Sequence, residues 1–150
     1  MLKRTCLALG LALATPAAAQ DLSSRQMLCL SRAIYFEAKN QTFEGQFAVA
    51  WVVLSRTRHP DFPHTLCDVV HQRRGSVCQF SWVCTALRSA RPRNDGAWHQ
   101  AQQIARFAAA QPIDSRPQML YFHGRRQPFR WRHLTEVAEI QDHIFYGDRR

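Results

Sequence analysis

Beyond its first residues this chain of 150 amino acids has no apolar run approaching the roughly 20 residues that a membrane-spanning helix needs. It has no internal repeat and no low-complexity tract, which leaves a globular domain as the natural class. Metal-binding patterns are missing too. The interval from Cys78 to Cys84 is not that of a C-x2-C zinc site. The seven histidines (His59, His64, His71, His99, His123, His133 and His143) include no H-E-x-x-H pair, so neither a metal nor another cofactor is expected. Acidic residues are scarce: 11 Asp and Glu face 20 Lys and Arg, a formal charge of +9.

What is present begins with a leader. Lys3 and Arg4 form a positive head, Cys6 to Ala14 a short apolar core and Ala17-Ala18-Ala19 a small-residue cleavage site, the pattern of a secretory signal over residues 1–20. Cys6 lacks the small-residue setting of a lipid-anchor site. The mature chain, 21–150, is therefore expected to be secreted or periplasmic, with no stable membrane insertion. Its length suits one domain with one core, and a monomer. Four cysteines remain, Cys29, Cys67, Cys78 and Cys84, and an even number in an oxidising compartment points to two disulfides, with three connectivities open. Without Lys3 and Arg4 the charge is +7, which in a cytoplasmic protein would suggest nucleic acid. Behind an export signal the expected polyanion is the cell envelope, and no nucleic acid is expected.

Ser23 or Ser24 is placed to cap a helix whose apolar residues Met27, Leu28, Leu30, Ile34 and Tyr35 recur at helical spacing to about Lys39. Asn40 suits a left-handed residue ending it. Thr42 caps a second helix, Phe43 to Arg56, with Glu44 in its first turn and apolar residues on nearly every side, the mark of a core helix. Pro60 and Pro63 break the pattern before Thr65 opens a short helix through Val70. From His71 to Asn94 no period is visible, which reads as a long loop or small hairpin held by a disulfide. Asp95 is placed to cap a helix from Gly96 to Ala110, stopped by Pro112. Met119 to His123 and Val137 to Tyr146 read as strands or a hairpin, so the fold class is α+β, mostly helical.

The segment Ala33-Ile34-Tyr35-Phe36-Glu37-Ala38 places a carboxylate near the C-terminal end of an amphipathic helix, among aromatics and methyls. Desolvation and the negative end of the helix dipole both raise its pKa, as a general acid at neutral pH requires. Alone, a helical glutamate is usually a solvated charge. Its neighbours in sequence argue otherwise. Together with Glu44-Gly45-Gln46-Phe47-Ala48-Val49-Ala50 and Val53-Leu54-Ser55-Arg56, it resembles the first signature of the SleB-type cell wall hydrolases, the group containing the spore-cortex-lytic enzymes. Phe62-Pro63-His64-Thr65, Cys67-Asp68-Val69-Val70 and Cys78-Gln79-Phe80-Ser81-Trp82 resemble the second. Tyr121-Phe122-His123, Trp131 and Ile140-Gln141-Asp142-His143-Ile144-Phe145-Tyr146 resemble the closing segment.

The resemblance implies a lysozyme-like fold related to lytic transglycosylases, acting on peptidoglycan glycan strands at the MurNAc–GlcNAc bond. Glu37 takes the position of the single essential acid. Gln79, Phe80, Ser81 and Trp82 then fall on one side of a sugar groove, although Phe80 and Trp82 are equally read as core. Tyr121 and His123 fall on the other side, and His143 reads as packing and hydrogen bonding. Glu44 reads as a supporting residue. A two-carboxylate hydrolase would need a partner about 5–9 Å from Glu37, for which Glu44, Glu136, Glu139 and Asp142 are the options. The chain departs from the family where Lys39-Asn40-Gln41 replaces a basic residue followed by Gly-Glu; Gln41 removes a charge, and Asn40 is expected to keep the turn left-handed. The competing functions are a hydrolytic muramidase, a zinc amidase or peptidase on the same polymer, a noncatalytic wall-binding module, and a secreted inhibitor or structural protein.

Overall fold

The computed structural model describes residues 23–93, 95–112, 118–128 and 130–149; the proposed leader lies outside these described residues. Four helices, α1 (Ser24–Ala38), α2 (Phe43–Arg56), α3 (Leu66–His71) and α4 (Asp95–Ala109), stand against a small β layer. Strands β1 (Arg73–Arg74) and β2 (Val77–Cys78) form a short hairpin, followed by 3-10 turns at Ser81–Cys84 and Ala86–Arg88. Strands β3 (Tyr121–Gly124), β4 (Leu134–Ile140) and β5 (His143–Asp148) make an antiparallel sheet in the order β3-β5-β4.

Local chemistry explains the helix starts. Ser23, Thr42 and Thr65 each accept a hydrogen bond from the backbone N–H three residues on, at Gln26, Gly45 and Asp68. A cap of this kind is worth about 1 kcal/mol. Asp95, expected as a cap, is instead the first residue of α4, one position inside it. There it still favours the helix, because a carboxylate complements the positive N-terminal end.

The core is built around α2, buried continuously from Gly45 to Arg56, and α1 and α4 lay Leu30, Ala33, Ile34, Ala101, Ile104 and Ala105 against it. Disulfide Cys29–Cys67 ties α1 to α3 across a Cα separation of 5.2 Å, and Cys78–Cys84 closes the region after β2.

One expectation is corrected at the turns. Asn40 is not left-handed: among the described residues the only non-glycine with positive φ is Gln141, at 49°. The chain leaves α1 through a tight turn in which the Gln41 N–H donates to Ala38 O at 2.9 Å, and the Gln46 side chain holds Gln41 O at 2.9 Å. No left-handed residue is needed there. Of the two readings of Val137 to Tyr146 the hairpin holds: the segment lies in β4 and β5, turning at Gln141-Asp142.

Candidate active site

Glu37 is the penultimate residue of α1, where side chains one turn earlier on the helix meet the 3-10 turn at Ser81–Cys84. Its carboxyl is pushed from 4.5 to about 7, first by burial, with the Trp82 indole and the Arg56 charge acting in the opposite direction. The last carbonyls of α1 add a negative field of the same sense as burial. Glu37 is half-buried, and a half-buried acid near neutrality is rare on a surface helix and usual in a general acid.

Trp82 is 4 % exposed and stacks on Phe36 at 4.7 Å between ring centroids, with planes 28° apart. Its Nε1–H has no partner of hydrogen-bond geometry among the described residues. It nevertheless lies near enough to Glu37 to favour the anion. Arg32, five residues before Glu37, sets its guanidinium 5.4 Å from the centroids of both Phe36 and Trp82 and donates to the carbonyls of Leu87 and Arg88. This arginine fastens the segment after Trp82 to α1.

Arg56 closes α2 and is 1 % exposed. Its Nε–H donates to Leu120 O at 2.7 Å, and its guanidinium faces the rings of Phe62, Phe80 and Tyr121 at 4.9, 5.6 and 5.6 Å. Its Nη1 has no hydrogen-bond partner among the described residues. Burial lowers its pKa to about 10, while Tyr121 and Glu37 act to raise it. The group stays cationic at neutral pH and supplies the positive charge that acts on Glu37.

The residues expected around the groove separate into three kinds. Gln79 and Ser81 are exposed and available to a ligand. Phe80 and Trp82 are buried, Phe80 against Arg56 and Trp82 against Phe36, so they act from behind the surface. Tyr121 is half-buried beside Arg56 and Trp131, and burial first, then Asp148, raise its pKa. His123 is buried, with Nδ1 at 2.9 Å from Gly124 O and Nε2 at 3.1 Å from the Tyr146 hydroxyl. A carbonyl accepts only, so Nδ1 carries the proton and the Tyr146 O–H donates to Nε2. His143 packs edge-on against Phe122 at 5.2 Å; its Nδ1 has no hydrogen-bond partner among the described residues, and burial lowers its pKa.

The other carboxylates are occupied elsewhere. Glu44 is exposed in the first turn of α2 and is not among the charges acting on Glu37. Glu139 pairs with Arg125 at 3.0 Å, Glu136 with Arg130, and Asp142 accepts from Gln41 Nε2 at 3.1 Å. Among the described residues no three His, Cys, Asp or Glu side chains converge as a metal site would require. Sequence reasoning gave no role to Arg56 or Arg32. The available signal was an arginine ending an otherwise apolar helix, a charge that the core must enclose.

A sequence profile described as Cell Wall Hydrolase matches residues 40–146, beginning three residues after Glu37. The spore cortex-lytic enzyme of Bacillus subtilis is 36% identical over 50 residues, 33% of this chain and 16% of that protein. The spore cortex-lytic enzyme of Oceanobacillus iheyensis is 36% identical over 55 residues, 37% of this chain and 20% of that protein. Among solved structures, the catalytic domain of the germination-specific lytic transglycosylase SleB from Bacillus anthracis superposes with a TM-score of 0.67 at 23% identity, over 85% of this chain and 98% of that domain. The SleB catalytic domain from Bacillus cereus gives 0.66 at 23% identity, over 85% and 94%. The fold is that of these catalytic domains, and the chain belongs to the cell wall hydrolase family.

Proposed function

We propose that this protein is a lytic transglycosylase that cleaves peptidoglycan glycan strands between N-acetylmuramic acid and N-acetylglucosamine, with Glu37 as acid and then base. The observation that carries this reading is the Glu37 carboxyl held near pH 7 at the end of a helix, between an indole N–H and a buried arginine. Its fold neighbour from Bacillus anthracis bears that activity in its name.

At neutral pH much of Glu37 is protonated. It gives its proton to the glycosidic oxygen, the bond from that oxygen to the muramic C1 breaks, and the glucosamine leaves as an alcohol. Positive charge then rests on the muramic C1 and ring oxygen. The muramic C6 hydroxyl adds its oxygen to C1 and returns its proton to Glu37, leaving a 1,6-anhydro end and the acid restored. No water is consumed and no second carboxylate is required. Burial favours the neutral acid at the start, whereas Trp82 and Arg56 favour the anion between the two transfers. Gln79 and Ser81 are the exposed polar groups suited to acetamido and hydroxyl groups, with Tyr121 on the far wall. Glu44 keeps a helix-end role.

Residues 1–20 are proposed as an export signal and 21–150 as the mature enzyme, a monomer acting in the cell envelope. Among the described residues no helix is long and apolar enough to cross a membrane.

Mass spectrometry of purified peptidoglycan, digested by the mature protein and in parallel by Glu37→Gln, tests the reading. Anhydro-muramic ends from the first and none from the second are expected. Reducing-end sugars would establish the hydrolytic alternative, and cleaved peptide bonds or no product would overturn the glycosidic reading.

A further inference from the structure

The two disulfides do different work. Cys29–Cys67 spans 38 residues and joins two helices at buried positions, as a link between core elements does. Cys78–Cys84 spans only 6, runs from the end of β2 to the end of the following 3-10 turn, and has Cys84 exposed. Constraint on the unfolded chain grows with loop length, so the shorter link contributes less through entropy. Its position is its distinctive property. The loop it closes contains Phe80, whose ring faces Arg56, and Trp82, whose ring stacks on Phe36 beside the acid. Both groups that oppose the burial of Glu37 are therefore approached by one covalently closed segment.

We propose that the Cys78–Cys84 disulfide is a positioning device of the active site, which fixes Trp82 on Phe36 as the cover beside Glu37. The inference rests on the reading of Glu37 as the acid.

The attachments on either side support it. Upstream, the Gln79 N–H donates to Gln72 O at 2.9 Å. Downstream, Arg32 holds the carbonyls of Leu87 and Arg88, and the Arg93 N–H donates to the Tyr35 hydroxyl at 3.0 Å. The first tethers Gln79, inside the closed loop, to the residue that caps the end of α3; the second lies beyond Cys84. Within the loop the Val83 N–H donates to Phe80 O, and just beyond Cys84 the Thr85 N–H and Oγ1–H donate to Trp82 O, all local bonds that set the turn without tying it to α1. Between the Gln79 tether and the anchors beyond Cys84, the register of Trp82 on Phe36 is held by ring packing, the Arg32 guanidinium over the indole and the disulfide. A shift of about 1 Å at a proton donor's environment is enough to cost a large factor in rate.

The test compares the mature enzyme with Cys78→Ser/Cys84→Ser and Cys29→Ser/Cys67→Ser, measuring kcat, KM, melting temperature and the alkaline limb of the pH profile. Opening the short loop admits water to Glu37, and burial is the largest cause of its raised pKa. The limb therefore moves down, towards the ordinary carboxylate range, with kcat reduced about tenfold and KM nearly unchanged. The Cys29→Ser/Cys67→Ser variant melts earlier but keeps the position of the limb. Should the short-loop variant fail to fold, the folded wild type is treated with a trialkylphosphine, which with water becomes the phosphine oxide as the disulfide becomes two thiols; alkylation then identifies the pair opened. Unchanged kcat and an unmoved limb with the short loop open would overturn the proposal. Absence of glycan cleavage by the wild type would instead overturn the reading of the enzyme's function.

Discussion

Folding and proton binding are coupled at Glu37. Its pKa is 4.5 in the unfolded chain and about 7 in the fold, so the folded state holds the proton more tightly. Below pH 4 both states are protonated and the group contributes no difference. As pH rises through 4.5 the unfolded chain gains the advantage of ionising, and the penalty to the fold levels off only above 7. At 1.36 kcal/mol per pH unit it reaches about 3 kcal/mol. Glu37→Gln should therefore raise the unfolding free energy at pH 8 by about 2–3 kcal/mol and leave it nearly unchanged at pH 4, as denaturant titrations at the two pH values would show; equal effects at both would contradict the burial of the acid. Trp82→Phe separates the indole's two contributions. It keeps the ring's cover and removes the N–H that favours the anion, so the alkaline limb of activity should move upward, opposite to the effect of hydration. A limb that stays in place would mean the N–H does not act on the carboxyl. The raised pKa of Glu37 was legible in sequence because its aromatic neighbours and its place near a helix end are local facts. The buried role of Trp82 was not, since an aromatic in an aperiodic segment is equally a surface platform or a core ring. Arg56 was hidden because the leucine carbonyl that receives it lies 64 residues away.

At the scale of elements, the joint between α1 and α2 is locked to the turn between β4 and β5. Gln41 donates from Nε2 to Asp142 Oδ2 at 3.1 Å and receives the Asp142 N–H at Oε1 at 3.3 Å, while Gln141 Oε1 receives the Thr42 N–H. An amide suits this pair because it both donates and accepts. The residue that distinguishes this chain from the family pattern is thereby explained: a carboxylate at 41 would face Asp142. Gln41→Glu should destabilise the fold by about 1 kcal/mol at pH 7, with the loss disappearing near pH 3 as the carboxylates protonate; thermal melts at the two pH values measure it, and a pH-independent difference would assign the cost to packing. Hydroxyl caps and apolar period gave α1, α2 and α3 nearly to the residue. A hairpin was one reading of the β4–β5 segment, but the position of its turn was not legible because Gln141, with φ of 49°, carries none of the glycine or asparagine chemistry that marks a left-handed residue. It is sustained by partners 99 and 101 residues distant.

Across the whole molecule, the class and the order of segments followed from composition and pattern, whereas the cysteine pairing could be read only from coordinates. Four cysteines admit three pairings with nothing local to choose among them. The arrangement also separates two populations of positive charge. Most of the chain's 20 basic residues contribute to a net charge of +9, and exposed arginines such as Arg73, Arg74, Arg126 and Arg132 meet the solvent directly. Arg56 meets it hardly at all. Dissolved ions screen charges at the surface over about 8 Å at physiological ionic strength, but they do not enter the ring-lined compartment around Arg56. Under the proposed function, ionic strength therefore governs attraction to an anionic polymer and proton transfer unequally: salt loosens the first and leaves the second largely untouched, so attachment to the polymer can change without retuning the acid.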